Sequence, residues 1–294
     1  MTSKTASWEL LTSLKIGSHL YDFSNHQIYI MGILNVTPDS FSDGGLYENP
    51  GQAIEYALQM QEEGADFIDI GAESTRPGAP EISVEEELTR LTPLLEKLIP
   101  QLKIPVSLDT RKVSVARRAI QCGVSLINDV SGFQFDPEMI PFLQQTKVFA
   151  ILMHSRGTPE TMSQLAQYES VTEELYSYFD KRLADLEKHG ISRERLLIDP
   201  GIGFAKMGLQ NVEILAGLDR LENFGRPVVI GLSRKSFLDL FFGSPSHPRE
   251  REVGTEIAHA LAILKGAHIL RVHDVGAAKK TIQFVKEFKK FEKE

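Results

Sequence analysis

The sequence holds a single cysteine, Cys122, so no internal disulfide and no cysteine-built zinc site can form, and a reducing compartment is the natural setting. An excess of positive charge is missing too. Lys and Arg number 32 against 40 Asp and Glu, a formal net charge of -8, whereas a nucleic-acid surface requires a basic face. A small-molecule partner fits better. No stretch approaches the roughly 20 apolar residues that span a bilayer. Met1 to Leu14 has neither the basic start nor the apolar run of a secretory signal, so a soluble, cytoplasmic protein is expected. Two familiar motifs are also absent, the HExxH zinc pair and the GxGxxG dinucleotide fingerprint. Lys235-Ser236 resembles the end of a Walker A loop, but Arg234 stands where that loop needs glycine.

What is present is a repeat. Hydrophobic residues make up 42% of the 294, enough for a sizeable core. From Gln27 onward a short run rich in Ile and Val, a polar or glycine-bearing turn and a stretch of helical spacing recur. The runs are Ile28 to Asn35, Asp66 to Ala72, Pro105 to Thr110, Ser125 to Gly132, Lys147 to His154, Leu196 to Gly201, Pro227 to Lys235 and Ile269 to Val275, eight in all. Between them, Leu88, Leu91, Leu95 and Leu98 share a helix face, as do Val171, Leu175, Phe179, Leu183 and Leu186, and then Ile257, Leu261 and Leu264. Ser83 with Glu86 forms a capping box, and Asp136 before Pro137 reads as a second helix start. The last helix is expected from about Ala277 through Phe288. Eight such units predict an α/β fold, a single (β/α)8 TIM barrel over residues 27–294, with an open doubly wound sheet as the alternative that periodicity alone allows. Residues 1–26 stand outside the repeat. Ser13 to Phe23 reads as a small hairpin turning at Gly17-Ser18, a short N-terminal extension placed to cover the barrel's bottom.

In such a barrel chemistry gathers at the carboxyl ends of the strands. Here every run ends in polar groups: Asn35, Glu73 to Arg76, Asp109, Asn128 with Asp129, His154, Asp199, Arg234 with Lys235, and Arg271 with His273. A lone strand-end Asp is usually a helix cap, but eight polar ends are hard to reach by capping alone. Carboxylates with an amide suit an edge of N–H donors, and several cations suit phosphate, so the expected ligand carries both. Two glycine-bearing loops, Thr37 to Gly45 and Glu73 to Pro80, look too specific to be mere connectors.

These residues fall into strings that resemble the dihydropteroate synthase family. They are ILNVTPDSFSDGG (Ile33 to Gly45), GADFIDIGAESTRPGA (Gly64 to Ala79), SLDT, NDVSG, LMHSRG, IDPGIGF, GLSRKSF and GAHILRVHDV (Gly266 to Val275), in family order. The resemblance implies a transferase of folate biosynthesis, a sulfonamide target. In its reaction 4-aminobenzoate displaces diphosphate from 6-hydroxymethyl-7,8-dihydropterin diphosphate, by a dissociative route, with Mg2+ and commonly as a homodimer. By resemblance Asp199 receives the paired N–H donors of the pterin, Asp109 and Asn128 meet its other polar atoms, and Met153 and Phe204 complete the pterin site. Lys235 then contacts both substrates; Asn35 holds the diphosphate through magnesium, and Arg76, Arg271 and His273 hold its oxygens directly. Phe41, Thr75 and Pro77 shape the aminobenzoate pocket, with Ser236 near its carboxylate, and the residues expected at the reacting groups are Lys235, Arg271 and Asn35. His273 could titrate near neutrality, with a phosphate neighbour favouring its protonated form.

Remaining residues have plainer readings. Cys122 is expected as a buried small hydrophobe, Trp8 as packing, and His259 and His189 as surface or cap residues. Phe284, Phe288 and Phe291 form an apolar stripe within a charged terminal helix. Arg111 after SLDT and the GTEIA run at Gly254 depart slightly from the family pattern, at helix starts expected to lie outside the contacts. A related pterin-binding barrel that transfers a methyl group to a corrinoid has no use for the diphosphate residues. A paralogue without turnover would lack a catalytic position, and none is missing.

Overall fold

A computed structural model describes residues 11–24, 27–37, 50–241 and 248–291; Trp8 and Phe41 lie outside these. A hairpin comes first, β1 (Ser13–Ile16) antiparallel to β2 (His19–Asp22), turning at Gly17 with φ 61°. Then follow eight parallel strands: β3 (Tyr29–Asn35), β4 (Phe67–Gly71), β5 (Val106–Asp109), β6 (Leu126–Asp129), β7 (Phe149–Met153), β8 (Leu196–Asp199), β9 (Val229–Ile230) and β10 (Ile269–Val272). Each of β3 to β7 pairs with the next, β10 pairs with both β3 and β9, and the ring closes between β8 and β9 through a single parallel bridge, Ile198 to Val228. The alternative of an open doubly wound sheet is thereby excluded. The intervening helices are α1 (Pro50–Glu63), α2 (Val84–Leu98), α3 (Val113–Cys122), α4 (Met139–Gln145), α5 (Val171–Lys188), α6 (Leu209–Ala216), α7 (Glu252–Leu264) and α8 (Val275–Phe288).

The two-residue period of the strands sorts side chains into two cores. Ile68 and Ile70, Leu108, Ile127, Leu152, Ile198, Ile230 and Leu270 face the helices and join their apolar stripes in the larger core. Met31, Phe67, Leu126, Ile151, Leu197, Val229 and Ile269 fill the lower barrel interior, and the hairpin's Leu14, Ile16, Tyr21 and Phe23 pack onto that layer. The expected position of the hairpin at the amino ends of the strands is thus what is found. Tyr21 stacks on Phe67 at 4.4 Å between ring centres and meets Tyr29 edge-on at 4.9 Å. Two residues further along four of the strands the interior turns polar: Asp69 after Phe67, Asn128 after Leu126, Asp199 after Leu197, Arg271 after Ile269. The same periodicity therefore builds both an apolar plug below and a polar mouth above.

Several expectations are corrected. Ile257, Leu261 and Leu264 point away from the barrel; the inner face of α7 consists of Gly254, Thr255, Ala258, His259, Ala262 and Ile263, because small residues let this helix lie close to the strands. His259 is accordingly fully buried rather than superficial, with Nδ1 3.3 Å from Glu256 Oε1. Phe284, Phe288 and Phe291 are exposed. Cys122 is only partly buried, at the last position of α3. Ser83 caps α2 as expected, its hydroxyl accepting the Glu86 N–H, whereas α4 begins three residues after Asp136, whose carboxylate instead accepts the N–H groups of Glu138 and Val113. The seventh barrel run is a strand only at Val229–Ile230, since Arg234 turns the chain at φ 59°. His189 is exposed at the C-terminus of α5, as expected.

Candidate active site at the carboxyl ends of the strands

Strand register assembles the site. Asn35 pairs with Gly71, Gly71 with Asp109, and Asp109 with Asn128, so one row across β3 to β6 carries three of the expected polar residues and a glycine. A Cβ at Gly71 would lie 3.4 Å from Asp109 Cβ and 3.8 Å from Asn35 Oδ1, so the missing side chain keeps the space between those two groups open. On the far side of the mouth Asp199 ends β8 beside Met153, its partner on β7.

Asp69, which the sequence reading did not single out, joins these groups. It is fully buried; its Oδ2 accepts Arg271 Nε at 2.6 Å and Asn128 Nδ2 at 3.1 Å. Arg271 also donates from Nη2 to Asp109 Oδ2 at 3.1 Å. One guanidinium therefore bridges two carboxylates across the barrel. Period two in DFIDIGA was the signal available, since Asp69 must share Phe67's inward face. Asp69 Oδ1 and Asn128 Oδ1 are buried acceptors with no partner among the described residues, the condition that calls for an outside donor. Burial raises the Asp109 carboxyl above the usual carboxylate range; Arg271 opposes the shift, while Asp69 and Asp129 reinforce it. Asp199 is raised by burial as well, against the pull of the Gly201 N–H at 2.7 Å and of Lys235, Arg271 and Lys206.

Lys235 follows the left-handed Arg234 and brings its ammonium 4.3 Å from the centre of the Phe204 ring. Burial and Arg271 push that ammonium down to about 8, with Asp199 and Asp109 resisting. Arg234 itself turns aside to Glu252 at 2.5 Å. His273 does not keep its ordinary titration: burial and the charges of Arg234, Arg271, Lys235 and Arg76 hold it well below the usual value. Ser233 Oγ accepts the His273 backbone N–H at 3.3 Å and lies 2.9 Å from Nδ1.

The loop after β4 carries Thr75, Arg76 and Pro77, of which Arg76 and Pro77 are exposed. Its Glu73 is buried beneath them and is held by Arg111 and Lys112. Arg111 is itself buried and reaches Glu73 Oε2 at 2.9 Å, while Lys112 Nζ bridges Glu73 at 2.9 Å and Glu87 at 2.8 Å. Arg111 also lies 4.1 Å over the Phe135 ring. This departure from the family pattern thus anchors the loop through Glu73. Ser236 is exposed at the start of a 3-10 turn, Ser236–Phe241. A separate cavity of about 850 Å³ beside the mouth is lined by residues of the β6 and β7 loops and α5; none of the carboxylates at the strand ends reaches it.

Magnesium can be tested against the donors present. Among the described residues no group of three or more His, Cys, Asp or Glu side chains could hold a metal ion. The described residues of this mouth therefore offer no all-protein cage. A single amide oxygen, that of Asn35, over an open space, suits an ion that keeps waters and takes its other ligands from substrate phosphate.

Comparison with known proteins agrees with this geometry. Residues 31–273 match the family model described as pterin binding enzyme. A dihydropteroate synthase of Synechocystis sp. is 45% identical over 265 residues, covering 90% of this chain and 91% of that one. Among solved structures, a Yersinia pestis dihydropteroate synthase in complex with a sulfonamide drug superposes with a TM-score of 0.88 at 36% identity, covering 95% and 99% of the two chains. A Xanthomonas albilineans dihydropteroate synthase with 4-aminobenzoic acid gives 0.87 at 40%, covering 95% and 98%. With likeness of this extent and a mouth that unites carboxylates, an amide and cations, the chain belongs to the pterin-binding enzymes and, among them, to the dihydropteroate synthases.

Proposed function

We propose that the barrel mouth joins 4-aminobenzoate to 6-hydroxymethyl-7,8-dihydropterin diphosphate, giving 7,8-dihydropteroate and diphosphate. The carrying observation is the pair of buried, unpartnered acceptors, Asp69 Oδ1 and Asn128 Oδ1, facing the same mouth as Asp109 and Asp199. A pterin edge is rich in N–H donors, and each donor left unpaired would cost about 1–3 kcal/mol, so this group of acceptors selects it. Asp199 takes the paired donors, Asp109, Asn128 and Asp69 the remaining polar atoms, and Met153, Phe204 and Lys235 bound the ring. Lys235 also faces the aminobenzoate, which Thr75, Pro77, Phe41 and Ser236 surround.

The bond between the hydroxymethyl carbon and its oxygen breaks with its electron pair leaving on diphosphate. The aryl amine then supplies the pair for the new C–N bond and loses a proton to solvent. A neutral aryl amine needs no strong base, so stabilising the departing charge is the main task. Arg76, Arg271 and His273 serve it. Asn35 would hold Mg2+, which supplies charge neutralisation to the diphosphate when bound.

Two further readings belong here. The chain works as a homodimer through α7 and α8, whose adjoining outer faces expose Val253 at 67%, Ile257 at 56% and Phe284 at 71%. Contiguous apolar surface of this kind marks an interface. It resides in the cytoplasm, in keeping with its cysteine usage and with the absence, among the described residues, of any helix long and apolar enough to cross a membrane.

The test is diphosphate release by purified protein with Mg2+ and both substrates, with each component omitted in turn. Release coupled to dihydropteroate formation is expected. Pterin binding without turnover would overturn the assignment in favour of a non-catalytic paralogue.

A further inference from the structure

The loop after β8 contains a buried cation that the reaction as described does not use. Lys206 is 4% exposed, and its ammonium donates to the carbonyls of His154 at 3.1 Å, Gly201 at 3.0 Å and Phe204 at 2.9 Å. Its three protons are thus all spent on backbone. Burying an ammonium away from water costs several kcal/mol unless the surroundings replace its solvation, whereas an apolar side chain of similar length would fill the volume at no such cost. The ammonium therefore performs something that volume alone cannot.

Its position shows what that is. The His154 carbonyl belongs to the residue following β7, and the other two carbonyls to the turn following β8, so Lys206 ties neighbouring strand ends together. The same two segments are joined by the His154 N–H, which donates to the Asp199 carbonyl at 3.0 Å. The turn is tightly bent, with left-handed backbone at Gly201 (φ 68°), Gly203 (φ 78°) and Ala205 (φ 49°). For Ala205 that conformation carries strain which something must hold in place. Asn211 holds the other side: its Oδ1 accepts the Gly203 N–H at 2.7 Å and its Nδ2 donates to the Lys206 carbonyl at 3.2 Å.

The turn in turn shapes the pterin side of the mouth. The Gly201 N–H is donated to Asp199 Oδ1, the Phe204 ring lies under the Lys235 ammonium, and a Cβ on Gly203 would sit 3.3 Å from Lys235 Cδ. We propose that Lys206 is a positioning residue for the pterin half of the site: its ammonium fixes the 199–206 turn that aims the Asp199 carboxylate and the Phe204–Lys235 pair. This rests on the pterin-binding reading above.

Lys206→Met keeps the length and removes the donors and the charge; Lys206→Gln keeps donors without the charge. Both are compared with the wild type by calorimetric titration with 6-hydroxymethylpterin across pH 5 to 9, and by KM for each substrate. Lys206→Met is expected to weaken pterin binding about tenfold or more, the worth of a charge-assisted hydrogen bond. KM for 4-aminobenzoate at saturating pterin should rise clearly less than the pterin affinity falls, since of that substrate's proposed contacts only Lys235 packs on the turn, against Phe204 and Gly203. The acid limb of pterin binding should move to higher pH in both variants, because Asp199 loses a neighbouring cation. Folded variants with wild-type pterin affinity and pH profile overturn the proposal. So do equal losses for the two substrates, or failure of both variants to fold, which would make Lys206 a general stability residue. A wild-type protein that binds no pterin would instead overturn the reading on which the proposal rests.

Discussion

Replacing Arg271 by methionine removes the one cation held between Asp69 and Asp109 and leaves the rest of the barrel unchanged. Asp69 is fully buried and Asp109 nearly so, with Arg271 at 2.6 Å and 3.1 Å from them. Breaking a buried pair from one side costs about 3–5 kcal/mol, because the remaining charge is left uncompensated. Here two carboxylates are left facing one another, so the upper half of that range applies where both are ionised. The variant can escape by taking up a proton. Asp109 already sits above the usual range, and without the guanidinium its folded value rises further above the unfolded one. A raised carboxyl binds more protons in the native state than in the unfolded state, so its contribution is full below the unfolded value and is lost as pH rises through the folded one. The destabilisation should therefore be modest near pH 5 and largest at pH 8 to 9. Urea unfolding of wild type and Arg271→Met at pH 5.5 and 8.5 measures it, with a loss at the higher pH of about 3 kcal/mol or more. Adding Asp69→Asn to the variant removes one of the two repelling charges and should restore at least about 1 kcal/mol. A variant as stable as wild type at pH 8.5, or an Asp69→Asn change that lowers stability further, would refute this view of the mouth. With both substrates present the same variant should lose far more turnover than pterin affinity.

Three further outcomes are expected. Asp199→Asn should weaken pterin binding by about 10- to 100-fold, the worth of one or two charge-assisted hydrogen bonds, while thermal unfolding changes little; calorimetric titration and a melting curve decide it. The free enzyme's kcat/KM should fall as pH rises through about 8, because only the charged Lys235 attracts anionic substrates; Lys235→Arg, which stays charged, should lack that alkaline limb. Chelating Mg2+ should stop turnover reversibly while binding of 6-hydroxymethylpterin, which carries no diphosphate, persists, and Asn35→Ala should raise the Mg2+ concentration needed for half-maximal rate.

The eight strands were legible because a parallel strand buried on both faces reads as a compact apolar run, and their last residues could be named in advance for the same reason. Asn35, Asp109, Asn128 and Asp199 stand where strand counting put them, and register supplies the alignment that counting cannot. Asp69 was overlooked because it lies inside its run rather than at the end, where a carboxylate flanked by isoleucines looks like an interruption of a hydrophobic strand. Arg111 was underrated for a different reason. Its partner Glu73 is 38 residues away in sequence, and an ion pair across two adjacent strand ends leaves no local pattern. His273 was misjudged in its chemistry rather than its place, since burial leads in suppressing its protonation and three of the four cations that add to it, Arg234, Lys235 and Arg76, come from loops distant in sequence.

Helix α7 shows where the limit of such reading lies. A period of 3.6 residues reveals that Ile257, Leu261 and Leu264 share a face, but not which way that face points. Size decides. The distance between a barrel strand and the helix over it is set by the side chains between them, and Gly254, Ala258 and Ala262 make that gap narrow along one side of the helix. The large apolar residues are then forced outward, where Ile257 and Leu261 remain about half exposed beside Phe284 of α8. A helix whose small residues face its own barrel and whose large ones face solvent has its hydrophobic burial left incomplete within one chain. Burial of the outer face against a second copy would complete it, and the proposed homodimer would then follow from how α7 packs.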